Sequence, residues 1–473
     1  MNFEEARLYL SSALAFGIQL GLQRMTRLMD LLGHPERQTE YIHIAGTNGK
    51  GSTAAYCASI LAMAGRRVGV YTSPYLVRFT ERIRILEGVA GLAALADDET
   101  AGEIAPEAFA SIMTRVRAAV ETMLAESGEQ EHPTEFELIT AAAFLYFAEK
   151  KCDLVVLETG LGGRLDSTNI IEKPMACIIT ALGYDHMDRL GSTLAEIAGE
   201  KAGIIKPGCP VFLYDPHDLN LSRDDAAAAF RVIQTTCARE SIQAPLHVVH
   251  KSELVSGSYG LDGQTFRDTV CGLELKTSLM SIIQPMNATL AIRACRMLGL
   301  ATDEQIKAGI AAARWPARME LLRSDPPVIL DGSHNPQGCQ ALAASLNRLL
   351  PGQQVIFLAG ILQDKDYADM LHTMLQGVAY RPMAFVCVSP DNPRALPAEA
   401  LAEAVRRTAV FEQLPRQDRS RYNNSDAVMT AHSPAEGARL ALELAIDYNM
   451  ALCAFGSLYM VGSIRNILAA GRR

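Results

Sequence analysis

The stretch Ile42-His-Ile-Ala-Gly-Thr-Asn-Gly-Lys-Gly-Ser-Thr53 carries the densest chemical signal in the sequence. A β-rich run leads into a glycine-rich turn, and a helical pattern follows. Gly46, Gly49 and Gly51 let the backbone fold tightly, so that amide N–H groups converge on one spot. The N-terminus of the following helix adds partial positive charge there. Lys50 adds a full charge suited to β- and γ-phosphates. The expected ligand is a nucleoside triphosphate held by Gly46, Thr47, Asn48, Gly49, Lys50, Gly51, Ser52 and Thr53. The spacing departs from the general G-x-x-x-x-G-K-[ST] loop, because Ile44 stands five before Gly49 and Gly51 follows Lys50. Glu158 closes the apolar run Asp153-Leu-Val-Val-Leu. A carboxylate at the C-terminal end of a parallel strand, beside a phosphate loop, is well placed to hold Mg²⁺.

Short β-rich runs must position these groups. Tyr41–Ala45, Arg67–Tyr71, Asp153–Glu158, Met175–Thr180 and Pro210–Tyr214 read as buried strands. Helical stretches such as Ser52–Ala64 and Thr134–Lys150 lie between most of them, which predicts a mostly parallel sheet covered by helices. Gly65 ends the first of these helices, and Thr134 with Glu137 opens the second as a capping box. A second α/β series follows, with strands at Val328–Leu330, Val355–Ala359, Ala384–Val388 and Met450–Phe455. Between the series, Arg314-Trp-Pro-Ala-Arg-Met-Glu reads as a linker or hinge, so domains are expected at 1–313 and 314–473. Glu87–Glu103 and Pro415–Ser433 read as irregular surface insertions.

Bulk properties exclude several partners. With 44 Lys and Arg against 53 Asp and Glu, the net charge is −9, which gives no general attraction for nucleic acid or an anionic membrane. No apolar run reaches the roughly 18 residues of a membrane span. The first residues, MNFEEARLYL, carry two acids where a signal peptide carries positive charge. A cytoplasmic protein is expected, and a monomer is the default. None of the ten cysteines forms a C-x-x-C pair, and several sit in strand-like runs, so they are expected to be reduced and buried.

The variant loop is one of many blocks that resemble the folylpolyglutamate synthase/dihydrofolate synthase family of the Mur ligase superfamily. In order, the blocks are Gly46–Thr53, Thr72-Ser-Pro-Tyr-Leu, Phe79-Thr-Glu-Arg-Ile, Thr134-Glu-Phe-Glu, Glu158-Thr-Gly-Leu-Gly-Gly-Arg-Leu-Asp-Ser-Thr-Asn169 and Asp185-His186. They continue with Glu200-Lys-Ala-Gly-Ile-Ile-Lys206, Trp315-Pro-Ala-Arg-Met-Glu, Asp331-Gly-Ser-His-Asn-Pro336, Asp364-Lys-Asp, Pro390-Asp-Asn-Pro-Arg-Ala and Gly456-Ser-Leu-Tyr. The resemblance implies an α/β chain, with an N-terminal P-loop ATPase domain and a smaller, Rossmann-like C-terminal domain. It implies an ATP-dependent ligase that adds L-glutamate to dihydropteroate, or to the γ-carboxylate of folate, through an acyl phosphate.

The resemblance also implies roles for particular residues. Ser73, Glu158 and His186 would bind magnesium, with two ions in all. Lys201 would be carbamylated by CO₂, although taken alone it reads as a surface lysine near a helix C-terminus. Asn287, Arg318, Asp331 and His334 would contact nucleotide or position substrate. Alternatively, Arg318 pairs with Glu320, and Asp331 stabilises a turn. Gln19-Leu20-Gly21, Thr134-Glu135-Phe136-Glu137 and Leu165-Asp166-Ser167 would form the pterin side, with Asp166 accepting from the amino-pyrimidine. Four positions depart from the family pattern: Tyr75 replaces a His, Thr80 an Asn and Ala317 a Gly, and Ser281-Ile-Ile-Gln-Pro-Met-Asn-Ala replaces Gly-x-His-Gln-x-x-Asn-Ala. Rival readings are a Mur-type ligase for another carboxylate, a regulatory ATPase, and a diverged paralogue without catalysis.

Overall fold

Buried apolar runs build the centre of a sheet around the phosphate loop. The computed structural model describes residues 1–17, 19–128, 131–239, 241–413 and 426–470, in two compact units. The first unit comprises Met1–Val255, Arg267–Leu275 and Pro285–Ala313, and the second Ser256–Phe266, Lys276–Gln284 and the chain from Arg314 onward.

In the first unit the strands are β1 (Glu40–Ala45), β2 (Arg67–Tyr71), β3 (Ile83–Glu87), β4 (Leu154–Glu158), β5 (Ala176–Ile179), β6 (Val211–Tyr214) and β7 (Leu246–Val249). Their order is β3-β2-β4-β1-β5-β6-β7. Only β3 is antiparallel to its neighbour, so the other six strands end on one rim. Register aligns those ends: Ile44 lies beside Glu158, and Ala45 beside Ile179. Every residue of β4 is buried, as expected for a strand covered on both faces.

The helix after the loop, Lys50–Met63, is buried from Ser52 to Ala62. Its small residues admit close neighbours. Ser59 Oγ donates to Gly309 O at 2.7 Å, and a Cβ on Gly309 would lie 2.5 Å from the Cα of Ile60. Helix Glu135–Glu149 carries the expected capping box at Thr134 and Glu137. One apolar cluster gathers Tyr41, Tyr71, Phe109, Phe144 and Phe147, and another gathers Leu194, Ala198, Ile204, Val211, Leu213 and Ile233.

A three-stranded sheet, ordered β10-β9-β8, is built from β8 (Leu254–Gly260), β9 (Gly263–Asp268) and β10 (Leu273–Thr277). The second unit's own sheet has β11 (Glu320–Ser324), β12 (Pro327–Leu330), β13 (Gln354–Ala359), β14 (Arg381–Cys387), β15 (Val428–Thr430) and β16 (Ala451–Phe455). It is ordered β11-β12-β16-β13-β14-β15 and parallel except for β11 against β12. Phe357, Phe385 and Phe455 meet at its centre with ring centroids 5.8–6.3 Å apart.

Three expectations change. Glu87–Glu103 is not irregular, because Gly88–Asp97 forms a helix. Of Pro415–Ser433, residues 415–425 lie outside the described residues, and β15 occupies part of the remainder. The segment after Trp315 is no free linker. Gly332 N–H donates to Ala317 O at 2.8 Å, and Met319 N–H donates to Asp331 at 2.8 Å, fastening Ala317–Met319 within the second unit.

Ala317 and Met319 hold φ of +55° and +50° there. A Cβ in the left-handed region costs about 1–2 kcal/mol. Glycine recovers that but adds roughly 0.4–1 kcal/mol of unfolded-state entropy. Ala317→Gly should therefore leave stability unchanged or raise it by up to about 1.6 kcal/mol in urea unfolding. A clear loss would contradict the strain assigned to this turn.

Candidate active site

The phosphate loop joins β1 to helix Lys50–Met63 and is braced from β5. Thr47 N–H and Asn48 N–H both donate to Ala181 O, at 2.9 and 3.2 Å, and Thr47 Oγ1 donates to Gly183 O at 3.0 Å. Gly46 and Gly49 have φ of +154° and +93°. A Cβ on Gly46 would strike the Thr180 side chain, and one on Gly49 would lie 2.5 Å from Asn287 Oδ1. Both glycines are thus required twice, by conformation and by space. Asn287, on helix Gln284–Met297, therefore stands against the loop itself. Sequence reasoning missed Thr180 and Ala181. Their only signal was their place at the end of a buried run.

Lys50 Nζ turns back over the loop, donating to Gly46 O at 3.1 Å and Thr47 O at 3.3 Å. Lys201, in helix Leu194–Ala202, also donates to Gly46 O, at 2.9 Å. It is buried, which overturns the reading of Lys201 as a surface lysine. Burial, helped by the positive charge of Lys50, lowers its pKa from 10.5 to about 7, and Asp185, Asp166 and Glu200 only partly oppose this.

Glu158 ends β4, is buried, and accepts Ser73 N–H at 3.2 Å. Ser73 follows β2, the neighbour of β4, so these two oxygen-bearing residues are brought together. His186 follows β5, which lies across β1 from β4. At roughly 4.8 Å per strand the end of β5 lies about 10 Å along the rim from that of β4. His186 has φ of +51°, and its backbone N–H donates to Asp185 Oδ1.

On the face expected for a pterin, Arg24 joins two of the three segments. It donates to Gln19 O at 2.9 Å and to Glu137 Oε2 at 3.2 Å. Nothing in the sequence pattern singled Arg24 out. Gln19 and Leu20 are exposed, and Glu137 Oε1 is buried with no hydrogen-bond partner among the described residues. The Phe136 ring covers Gly160, where a Cβ would collide with it. Asp166 differs from expectation. Both its oxygens already accept, from Gly160 N–H, Leu161 N–H, Thr168 N–H and Thr168 Oγ1, at 2.5–3.0 Å. It is a buried loop brace beside Ser167 and the neighbouring Leu165, and burial pushes its carboxyl up despite these bonds.

Two departures from the family pattern are locally accommodated. Tyr75 lies under the Arg82 guanidinium, 5.2 Å from its ring centre, and Thr80 Oγ1 donates to Glu103 at 2.5 Å.

In the second unit Asp331 is buried at the end of β12. It accepts Met319 N–H and Ser333 N–H, each at 2.8 Å, and the Ser333 hydroxyl. Burial raises its carboxyl pKa, and Arg318 opposes this. Arg318 does not take Glu320 as partner. Arg465 holds that carboxylate through two bonds, at 2.6 and 2.8 Å. His334 Nδ1 contacts Gly332 O at 2.9 Å, and Asn335 caps helix Pro336–Leu349.

A triphosphate loop on a parallel rim and a second parallel α/β unit match two known domains. Residues 105–295 match the Mur ligase middle domain, and residues 317–458 match the Mur ligase glutamate ligase domain. The chain is therefore a Mur-type ligase. The dihydrofolate synthase/folylpolyglutamate synthase of Bacillus subtilis (strain 168) is 38% identical over 413 residues, covering 85% of this chain and 88% of that one. The Escherichia coli (strain K12) protein of the same name is 31% identical over 407 residues, covering 86% of each. The Mycobacterium tuberculosis folylpolyglutamate synthase, solved with ADP and AMPPCP, superposes with a TM-score of 0.80 at 28% identity over 99% of both chains. This chain belongs to the dihydrofolate synthase/folylpolyglutamate synthase family, and it is an ATP-dependent acid–amino-acid ligase.

Two measurements check this geometry. Lys50→Ala should abolish ATP-dependent turnover while circular dichroism stays native, and normal turnover would contradict the loop assignment. A lysine whose folded pKa is lowered binds its proton more tightly when unfolded, so stability rises with pH between the two values. Relative to Lys201→Met, the wild type should gain stability from about pH 7 upward in urea melts. Parallel stability profiles would show that Lys201 is not perturbed.

Proposed function

We propose that this ligase joins L-glutamate to the carboxylate of dihydropteroate and to the γ-carboxylate of reduced folates. The observation that carries the reading is the phosphate loop with two lysines on Gly46 O, in a chain whose relatives bear both names. A carboxylate is a poor electrophile at neutral pH. Transfer of the terminal phosphoryl group of ATP to a carboxylate oxygen gives an acyl phosphate and releases ADP. The amine of glutamate then attacks the acyl carbon, and the tetrahedral intermediate expels phosphate as the amide forms and the amine loses a proton. Lys50 neutralises charge spreading over the transferred group, and the backbone N–H groups hold the rest.

Ser73 and Glu158 offer oxygen donors at adjacent strand ends, the donor type that magnesium prefers. In this proposal they and His186 are the protein ligands of magnesium, with two ions in all; bound magnesium would supply further neutralisation of phosphate charge. Lys201 is carbamylated, a reaction that needs the neutral amine its environment favours. Asn287, Arg318, Asp331 and His334 contact nucleotide or position substrate. Gln19–Gly21 and Thr134–Glu137 face the pterin. We place the protein in the cytoplasm as a monomer. Ten free cysteines, nine of them buried, support a reducing compartment.

The test offers dihydropteroate and tetrahydrofolate separately, with ATP and glutamate, and resolves the products by mass. Glutamate addition to both is expected. Turnover of neither, with another acid accepted, would favour a Mur-type ligase of different specificity.

A further inference from the structure

We infer that the first unit carries a second metal site, for a divalent cation of the zinc class, built by Asp215, Asp218 and His250. One ligand atom from each of these residues lies within 4.8 Å of the other two. The site follows from strand register. Tyr214, the last residue of β6, pairs with Val249, the last of β7, and Asp215 N–H donates to Val249 O at 3.1 Å. Asp215 and His250 therefore leave adjacent strand ends side by side. The short turn Pro216–Asp218 then brings Asp218 back to them.

The donors are already oriented. His217 uses its backbone N–H, at 2.9 Å, and its ring Nδ1, at 2.7 Å, to hold Oδ1 of Asp215. That fixes Oδ2, which His250 Nδ1 meets at 2.8 Å. Lys251 N–H holds Oδ2 of Asp218 at 2.5 Å. A metal-binding carboxylate whose second oxygen is held by an imidazole has the outer support that metal ligands need. Asp215 is 9% exposed, while the His250 side chain is 45% exposed, so an ion can reach the cluster from solvent. Zinc bonds of about 2.0–2.2 Å separate tetrahedral donors by roughly 3.3 Å, so Asp215 and His250 need to part by only about 0.5 Å. Three protein donors leave a fourth position for water. Imidazole with carboxylates suits zinc or its transition-metal neighbours better than magnesium, which favours oxygen throughout.

This site is separate from the one proposed for ATP. Glu158 ends β4, and β6 lies three strands away along the sheet, about 14 Å at ordinary strand spacing. The test titrates Zn²⁺ into chelator-stripped, reduced, full-length protein by calorimetry, with excess Mg²⁺ present. One zinc equivalent should bind the wild type. Asp215→Asn and His250→Ala should each weaken it at least tenfold, with unchanged circular dichroism, while Glu158→Gln keeps it. The half-exposed His250 provides a variant that should fold even if the Asp215 variant does not. The proposal is overturned if the wild type takes up no zinc, if His250→Ala binds like the wild type, or if Glu158→Gln removes the same equivalent.

Discussion

Two lysines donate to one carbonyl oxygen. Lys50, from the loop, and Lys201, from a helix about 150 residues further along the chain, both meet Gly46 O. Two ammonium groups at one buried acceptor repel each other. Burial, with Lys50 close by, brings Lys201 down to a pKa of about 7, while Lys50 lies half-buried in the loop that faces phosphate. The left-handed glycines, the Thr180 side chain packed on Gly46 and the Ala181 carbonyl beneath Thr47 and Asn48 all serve to hold that carbonyl in place.

Strand order supplies the rest of the arrangement. Because six strands end on one rim, residues distant in sequence arrive in a fixed series: Ser73 and Glu158, then the loop, then His186, then the Asp215 and His250 pair. The parallel sheet thus acts as a ruler with a strand-width step. Groups on neighbouring strands can share one ligand, as Ser73 and Glu158 do one hydrogen bond, whereas groups three strands apart serve separate ones.

Much of this was legible in the sequence. Strands covered on both faces, such as β1, β4 and β13, write themselves as continuous apolar runs, and their positions agreed with the structure to within a residue or two. Among the described residues, seven strands were left unread: β8, β9 and β10, which form the small three-stranded sheet, and four whose pattern is weak. β3 and β11 are antiparallel edges with charged residues, β7 is largely half-buried, and β15 has three residues. The loop announced itself because its chemistry is local. Lys201 did not, since its identity as a buried group depends on a contact across 155 positions. Asp166 misled for the converse reason. An acid in a polar block looks available for a ligand, but four protein donors already satisfy it. Ala317 shows a conformational constraint that only backbone angles reveal.

What the geometry around Gly46 must accomplish is delivery of a phosphoryl group to a carboxylate oxygen. The most direct measurement follows that oxygen. With ¹⁸O in the carboxylate of dihydropteroate, the expected result is one labelled oxygen in the inorganic phosphate released per amide formed. Unlabelled phosphate, alongside normal amide formation, would contradict an acyl phosphate and with it the purpose assigned to the two lysines.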